Sequence, residues 1–319
     1  MERDDHSGID GREWCDETWN PIRGVAGKWH CTKVSAGCTS CYAERINIRW
    51  GGPAYKPGLD TFRLDEKILA QPLHWKKPRK IFVCDMTDLF HEDISIGYVA
   101  NVFNVMASAR LGCRRIHQHE GECWSGEDHI YQILTKRAFR IAPVLDEMQI
   151  YAAERMPVEC PLNVCLDAGY WPLCNVWLGV SFEDQATADE CIPLLLQTPA
   201  AVRFVSYEPA LGPVDLSVYL CPDGASGFDH GLQWVIIGGE SGPKARPFDI
   251  AWARSAISQC RGAKVPVFYK QGGAAHRCPH SAKGGCQDCM PVDLRIREFP
   301  MVGGGVVGTR RENLESQCH

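Results

Sequence analysis

An α/β chain folded as a partial or complete (β/α) barrel is the fold class this sequence predicts, and three observations predict it. Short apolar runs rich in Val, Ile, Phe, Tyr and Trp recur along the chain. They are continuous rather than alternating, as in strands buried on both faces of a parallel sheet. Helix-patterned stretches separate them at about one βα unit per step. Nearly every run ends in a polar or charged residue, and barrel strands build their active sites from such C-terminal ends. A closed or partly open barrel suits this order better than two separate domains, with an α/β sandwich as the alternative.

The predicted strands, at least six, are 80–84 (KIFVC), 129–134 (HIYQIL), 176–180 (VWLGV), 202–207 (VRFVSY), 234–237 (WVII) and 265–269 (VPVFY). The predicted helices are 42–50, 96–110, 138–155, 186–197 and 249–261. At the strand ends stand Asp85 and Asp88; Lys136 and Arg137; Ser181, Glu183 and Asp184; Glu208; Glu240 and Ser241; Lys270 and Gln271. One such ending only marks where a loop begins. Six in succession predict a shared polar mouth. Long Cys-rich segments at 111–128, 157–174 and 272–291 read as irregular insertions in a single domain spanning 1–300, with 301–319 as a tail.

Composition bounds the function. Of 319 residues, 45% are hydrophobic and 23% charged, which suits a soluble globular protein and excludes a disordered or collagen-like chain. No run of 18 apolar residues predicts a membrane span. The N-terminus is polar and lacks the apolar core of a signal peptide, so a cytoplasmic location is expected. A net charge of −5 argues against coating nucleic acid by bulk electrostatics but leaves room for a local basic groove. The 17 cysteines, odd in number and without a secretion signal, read as metal ligands, reactive thiols or core residues rather than disulfides.

Cys31, Cys38 and Cys41 lie within 11 positions, just before the helix-like run 42–50. Three thiolates on one loop suit three irons of a [4Fe–4S] cluster, leaving the fourth open to a ligand. A structural zinc site with His30 as fourth ligand suits the same spacing. The residues leave both readings open.

The chain resembles the phage Gp37/Gp68-like three-cysteine family. The matching segments are 18–21 (TWNP), 31–44 (CTKVSAGCTSCYAE), 85–91 (DMTDLFH), 132–137 (QILTKR), 175–181 (NVWLGVS), 206–209 (SYEP), 238–242 (GGESG) and 268–271 (FYKQ). That family looks like a divergent branch of the radical S-adenosylmethionine (SAM) enzymes, whose cysteine spacing is usually three then two intervening residues. Here it is six then two. The resemblance implies a radical SAM-type partial barrel and a [4Fe–4S] cluster on Cys31, Cys38 and Cys41. It further implies that SAM chelates the fourth iron, and that an external electron donor triggers cleavage of SAM to a 5′-deoxyadenosyl radical. Asp85, Thr87, Ser181 and Glu183 become candidate SAM ligands. So do Gly238, Gly239, Glu240 and Ser241, although a glycine pair equally serves a tight turn. Glu208, Lys136 and Asp88 become candidate catalytic residues, and Lys136, Arg137 and Lys270 suit a substrate phosphate or carboxylate.

Cys278, Cys286 and Cys289, with His280 nearby, form a second group that suits zinc and, less well, a second Fe–S cluster. It looks like an insertion relative to the family pattern. Cys113, His117, His119 and Cys123 form a further four-ligand set, and Cys160, Cys165 and Cys174 a looser one. Family members resemble accessory enzymes of DNA base hypermodification. The implied substrate is modified thymidine in phage DNA, with an amino-acyl (glycyl) group moved from nitrogen to carbon linkage. The alternatives are DNA-lesion repair, tRNA modification, and a zinc-stabilised nucleic-acid-binding protein without catalysis. A duplex base would have to flip out to reach a barrel mouth. Trp50, Tyr55, Trp124 and Trp171 are candidates to stack on it.

Overall fold

Seven parallel strands curl into a half-barrel in the computed structural model, which describes residues 14–24, 27–58, 62–109, 128–220, 231–242, 244–274, 286, 289–302 and 305–306. In chain order the strands are β1 (Glu17–Trp19), β2 (Ile22–Arg23), β3 (Arg63–Leu64), β4 (Lys80–Val83), β5 (Ile130–Thr135), β6 (Val176–Phe182), β7 (Val202–Tyr207), β8 (Trp234–Gly238) and β9 (Val267–Gln271). Two more, β10 (Met301–Val302) and β11 (Gly305–Val306), pair with each other. The large sheet runs β1-β4-β5-β6-β7-β8-β9, while β2 and β3 form a small antiparallel pair. Each βα unit thus lays its strand beside the previous one, the order of a barrel rather than of a sheet wound in two directions.

The helices are α1 (Tyr42–Arg49), α2 (Glu66–Leu69), α3 (Ile96–Ser108), α4 (Ala138–Arg155), α5 (Pro161–Asp167), α6 (Gln185–Leu196), α7 (Ser217–Leu220) and α8 (Ile250–Gly262). Their starts are chemically marked. Ser95 caps α3, Asp249 caps α8, and Asp184 caps α6 in a reciprocal box with Thr187.

Strand alternation divides the core into two layers. Tyr131 and Ile133, Leu178 and Val180, Val205 and Tyr207, and Val235 and Ile237 face the helices and join the main core. Alternate residues face inward. Ile130, Trp177, Phe204, Trp234, Ile236 and Phe268 gather with Trp14 and Phe82 into an aromatic floor. Trp177 meets Trp234 edge-on at 5.8 Å, and Trp14 sits 4.6 Å from Phe82. Gly179 makes room on this face, since a Cβ there would lie 2.5 Å from Phe204 Cζ. Both faces are apolar, which is why the runs look continuous in sequence. Beyond β9 the edge is covered: Tyr269 N donates to Ile296 O and Glu298 N to Val267 O, each at 2.9 Å.

Several boundaries differ from expectation. The strand predicted at 265–269 is Val267–Gln271, because Pro266 has no N–H to give a ladder. Lys270 and Gln271 therefore belong to the strand itself. The helix predicted over 96–110 ends at Ser108, with Ala109 as its cap. The segment 157–174, expected to be irregular, contains α5, which is capped by Cys160 Sγ and buries Leu162, Asn163 and Cys165. β1 escaped prediction because three residues carry too little pattern. Among the described residues, no helix is long and apolar enough to cross a membrane.

Candidate metal centre

The strand-end residues converge at the C-terminal rim of the half-barrel, where the cysteine loop rests on them. The loop's 3₁₀ turn, Ala36–Ser40, leads through Cys41 directly into α1. Glu183, just past β6 and only 1% exposed, is its anchor. Glu183 Oε1 accepts from Ser35 Oγ at 2.7 Å and from Gly37 N at 3.1 Å, and pairs with Lys136 Nζ. Gly37 is needed for this approach, because a Cβ there would lie 2.1 Å from Oε1. Lys136 also donates to Ser181 Oγ at 2.8 Å, and Ser181 donates to Glu208 O at 3.0 Å.

A second anchor holds the start of the loop. Arg137, 1% exposed, pairs with Asp88 and Glu92 at 3.0 Å each. Its Nη2 donates to Thr32 Oγ1 at 2.6 Å, and Nη1 lies 3.8 Å from Cys31 Sγ. Asp88 also accepts from Thr135 Oγ1 at 2.8 Å and from Phe90 N at 3.0 Å. Its carboxylate is thus filled by the scaffold, so its part is to fix Arg137. His91 Nε2 sits 3.0 Å from Thr32 Oγ1, and Nδ1 accepts from Asp93 N at 3.2 Å.

Cys31 and Cys41 pack on a small cluster of Ala43, Tyr55 and Met86. Burial, with the nearby Asp88 carboxylate adding to it and Arg137 opposing, pushes the Cys31 thiol up to about 12. Cys38 and Cys41 each add to the effect, which places all three thiols within electrostatic reach of one another. Burial also raises Cys41. Thiolates are the ligating form, so a metal held here would displace these protons. His30 instead packs among the rings of Tyr55, Phe62 and His91. Among the described residues, no three His, Cys, Asp or Glu side chains are gathered tightly enough to hold a single ion.

The remaining candidates line the same mouth. Asp85 Oδ1 accepts from Asn20 Nδ2 at 2.5 Å, and its carbonyl accepts from Tyr42 Oη at 2.9 Å. Lys270 Nζ donates to Glu208 Oε2 at 2.9 Å, and Gln271 Nε2 to Oε1 at 3.2 Å. Gly238 faces the Glu208 carboxylate, and Gly239 lets the ends of β8 and β9 touch, since a Cβ there would lie 2.7 Å from Gly272 O. Glu240 pairs with Arg246 through both oxygens. Burial raises the Glu240 carboxyl, but the Arg246 hydrogen bonds and charge outweigh it and hold it below the usual range. Ser241 O accepts from Arg45 Nη2 at 2.8 Å.

Three polar atoms at this rim are buried with no hydrogen-bond partner among the described residues: Glu183 Oε2, Thr87 Oγ1 and Arg45 Nη1. Unpaired buried polar atoms are costly and call for an explanation, such as a ligand that completes them. Arg45, Ser35, Gly37 and Thr32 were not singled out from sequence. Their nearness to the three cysteines was the available signal.

Other expected groups are not assembled by the described residues. Cys286 is buried and Cys289 exposed, while Cys278 and His280 lie outside the described residues. So do Cys113, His117, His119, Cys123 and Trp124. Cys160 and Cys165 are buried in the α5 region. Tyr55 is buried with its hydroxyl on Met86 O, and Trp171 packs near Phe103 at 5.9 Å, whereas Trp50 is 65% exposed.

A family model described as a protein of unknown function (DUF5131) matches residues 10–289. No curated protein and no solved structure matches the chain.

Proposed function

The chain belongs to the DUF5131 family, and we propose that this member is a radical SAM-type [4Fe–4S] enzyme acting on a modified nucleobase in DNA. The observation that supports it is the seating of the cysteine loop. The loop that carries the three thiols, pinned by Glu183 at Ser35 and Gly37 and by Arg137 beside Cys31, rests at the C-terminal rim of an open parallel half-barrel. Cys31, Cys38 and Cys41 would hold three irons, and the amino and carboxylate groups of SAM the fourth. The donor set fits in kind: it is three sulfurs on one loop, while the ring of His30, the fourth ligand a zinc site would use, is packed against Tyr55, Phe62 and His91. Such a cluster, when bound with SAM, supplies hydrogen-atom abstraction at unactivated carbon.

The chain's own residues prepare that chemistry. Glu183 and Lys136 hold the loop and give the rim one neutral ion pair. Arg137 offers a buried positive charge beside Cys31, which favours its thiolate. Glu208 and Lys270 form a second pair on the inner wall, 2.9 Å apart, able to hold or pass a proton at Oε2. Glu183 Oε2, Thr87 Oγ1 and Arg45 Nη1 are open to polar groups of SAM or substrate. The aromatic floor beneath closes the site to water from the other end.

The proposed reaction moves a glycyl group on thymine from nitrogen to carbon linkage. The test is anaerobic incubation of iron-loaded protein with SAM, dithionite and phage DNA carrying that thymidine adduct. Ultraviolet-damaged DNA and tRNA form parallel arms, and nucleosides are read by liquid chromatography and mass spectrometry. A new retention time and fragmentation pattern at unchanged mass supports the isomerisation. 5′-Deoxyadenosine release with a changed nucleoside only in another arm moves the substrate to that arm. Neither 5′-deoxyadenosine nor a changed nucleoside from iron-loaded protein in any arm overturns the radical reading.

A further inference from the structure

We propose that the outer face of α1 and its C-terminal turn form a docking platform for one unpaired polynucleotide strand, running into the mouth beside the cysteine loop. The charge distribution is the first ground. The chain carries a net charge of −5, yet residues 21–58 contain Arg23, Lys28, Lys33, Arg45, Arg49 and Lys56 against one acid, Glu44. A strongly basic segment in an acidic chain is the local electrostatic footprint of a polyanion.

The second ground is the exposed apolar surface in the same place. Trp50 is 65% exposed, Ile48 50%, Tyr42 41% and Ile46 38%. Burial of Ala43 and Asn47 accounts for the opposite face of α1, so these residues are not turned outward for want of a core side. Aromatic surface interleaved with cations suits base stacking along a phosphate backbone. A duplex hides its base faces and would leave Trp50 unused, so the occupant is a single strand.

The third ground is the path. Lys28 Nζ donates to the backbone carbonyl of Trp50 at 2.5 Å, which sets an ammonium at the C-terminal turn of α1. Arg49 and Lys56 are exposed, with no ion pair among the described residues, whereas Lys33 is paired with Glu44 and Arg23 lies over Trp29. Tyr42, Ile46 and Arg49 share one helical face with Arg45. Arg45 reaches Ser241 O with one nitrogen and leaves Nη1 buried and unpaired. A strand lying on Trp50 and Arg49 therefore passes Ile46 and reaches the rim at Tyr42 and Arg45. The choice of a nucleic acid rests in part on the proposed nucleobase substrate, but the location rests on α1 itself.

The experiment is fluorescence anisotropy of labelled 20-nucleotide DNA and RNA strands and of a matched duplex, titrated with the anaerobically prepared full chain over a salt series. Polyglutamate is the competitor control. Iron per chain is measured on every sample. The wild type is expected to bind a single strand more tightly than the duplex and to resist polyglutamate. Trp50→Ala should weaken strand binding by about 5- to 150-fold, the range for losing one stacked base. Lys28→Glu with Arg49→Glu should weaken it further and lower the salt slope by about 2. Iron content should stay at the wild-type level in both. Variants that bind within twofold of the wild type, or equal binding of strand, duplex and polyglutamate, would overturn the platform. Iron loading and SAM cleavage are read separately, so such a failure leaves the enzyme reading standing, and their loss leaves the platform standing.

Discussion

Gly37→Ala probes the contact on which the cysteine loop depends. A Cβ at this position would sit 2.1 Å from Glu183 Oε1, where such contacts do not fall below 3.0 Å, so one partner must retreat by about 1 Å. Lys136 Nζ, 3.0 Å from the same point, blocks an easy escape. Retreat strains or breaks the hydrogen bonds from Gly37 N and Ser35 Oγ to the carboxylate. Bonds to a charged acceptor contribute about 1.5–3 kcal/mol each, so up to about 3–6 kcal/mol of local loop anchoring is at stake. The barrel core lies elsewhere, so the loss is local rather than global. The assay is iron and sulfide per chain after anaerobic reconstitution, alongside urea denaturation. Loading should fall severalfold while the urea midpoint stays near wild type. Glu183→Asp withdraws the carboxylate by about 1.5 Å and should partly restore loading in the double variant. Full loading of Gly37→Ala would refute the anchoring argument.

Three further outcomes follow from the packing and the ionisable groups. Arg137→Met strands the buried Asp88 carboxylate and should cost about 3–5 kcal/mol in urea unfolding, with no rescue by Arg137→Lys, which lacks the planar fork. Gly179→Ala drives a methyl to within 2.5 Å of Phe204 Cζ and should cost about 1–3 kcal/mol, read as a lower Tm and relieved by Phe204→Leu. Alkaline pH should destabilise the protein. Burial raises Cys260 from 9.0 to about 12 and Cys191 to about 11. Both folded values lie above the unfolded one, so their stabilisation is complete below pH 9 and is lost as pH rises. For Cys260 alone the loss reaches about 3 kcal/mol by pH 11, and Cys260→Ala should flatten the decline in urea midpoint.

The strands were legible because their residues carry two-sided burial. Val202–Tyr207 and Ala138–Arg155 match their predicted bounds, since apolar periodicity and flanking polar residues both mark them. β1 was not legible, because Glu17, Thr18 and Trp19 gain strand character only from pairing with Ile81, Phe82 and Val83. α5 was hidden by a cysteine serving as its cap and by the proline that follows. At the site, the polar mouth was readable as a series of strand endings. Which ending served which partner was not. Glu183 reads as a loop-end acid in sequence, but its contacts reach back 148 residues to Ser35. Asp88 looks reactive in a short polar motif, yet Arg137 and Thr135, 49 and 47 residues away, occupy it. Such pairings are set by the curl of the sheet, which no local pattern records.

The central claim is an iron–sulfur cofactor on three cysteines, and metal and sulfide analysis tests it most directly. Anaerobically reconstituted wild type should carry about four iron and four sulfide per chain on those cysteines, with a brown colour that dithionite bleaches, and Cys38→Ala should lose most of both. Zinc without sulfide in the wild type, or unchanged iron in Cys38→Ala, would contradict the account.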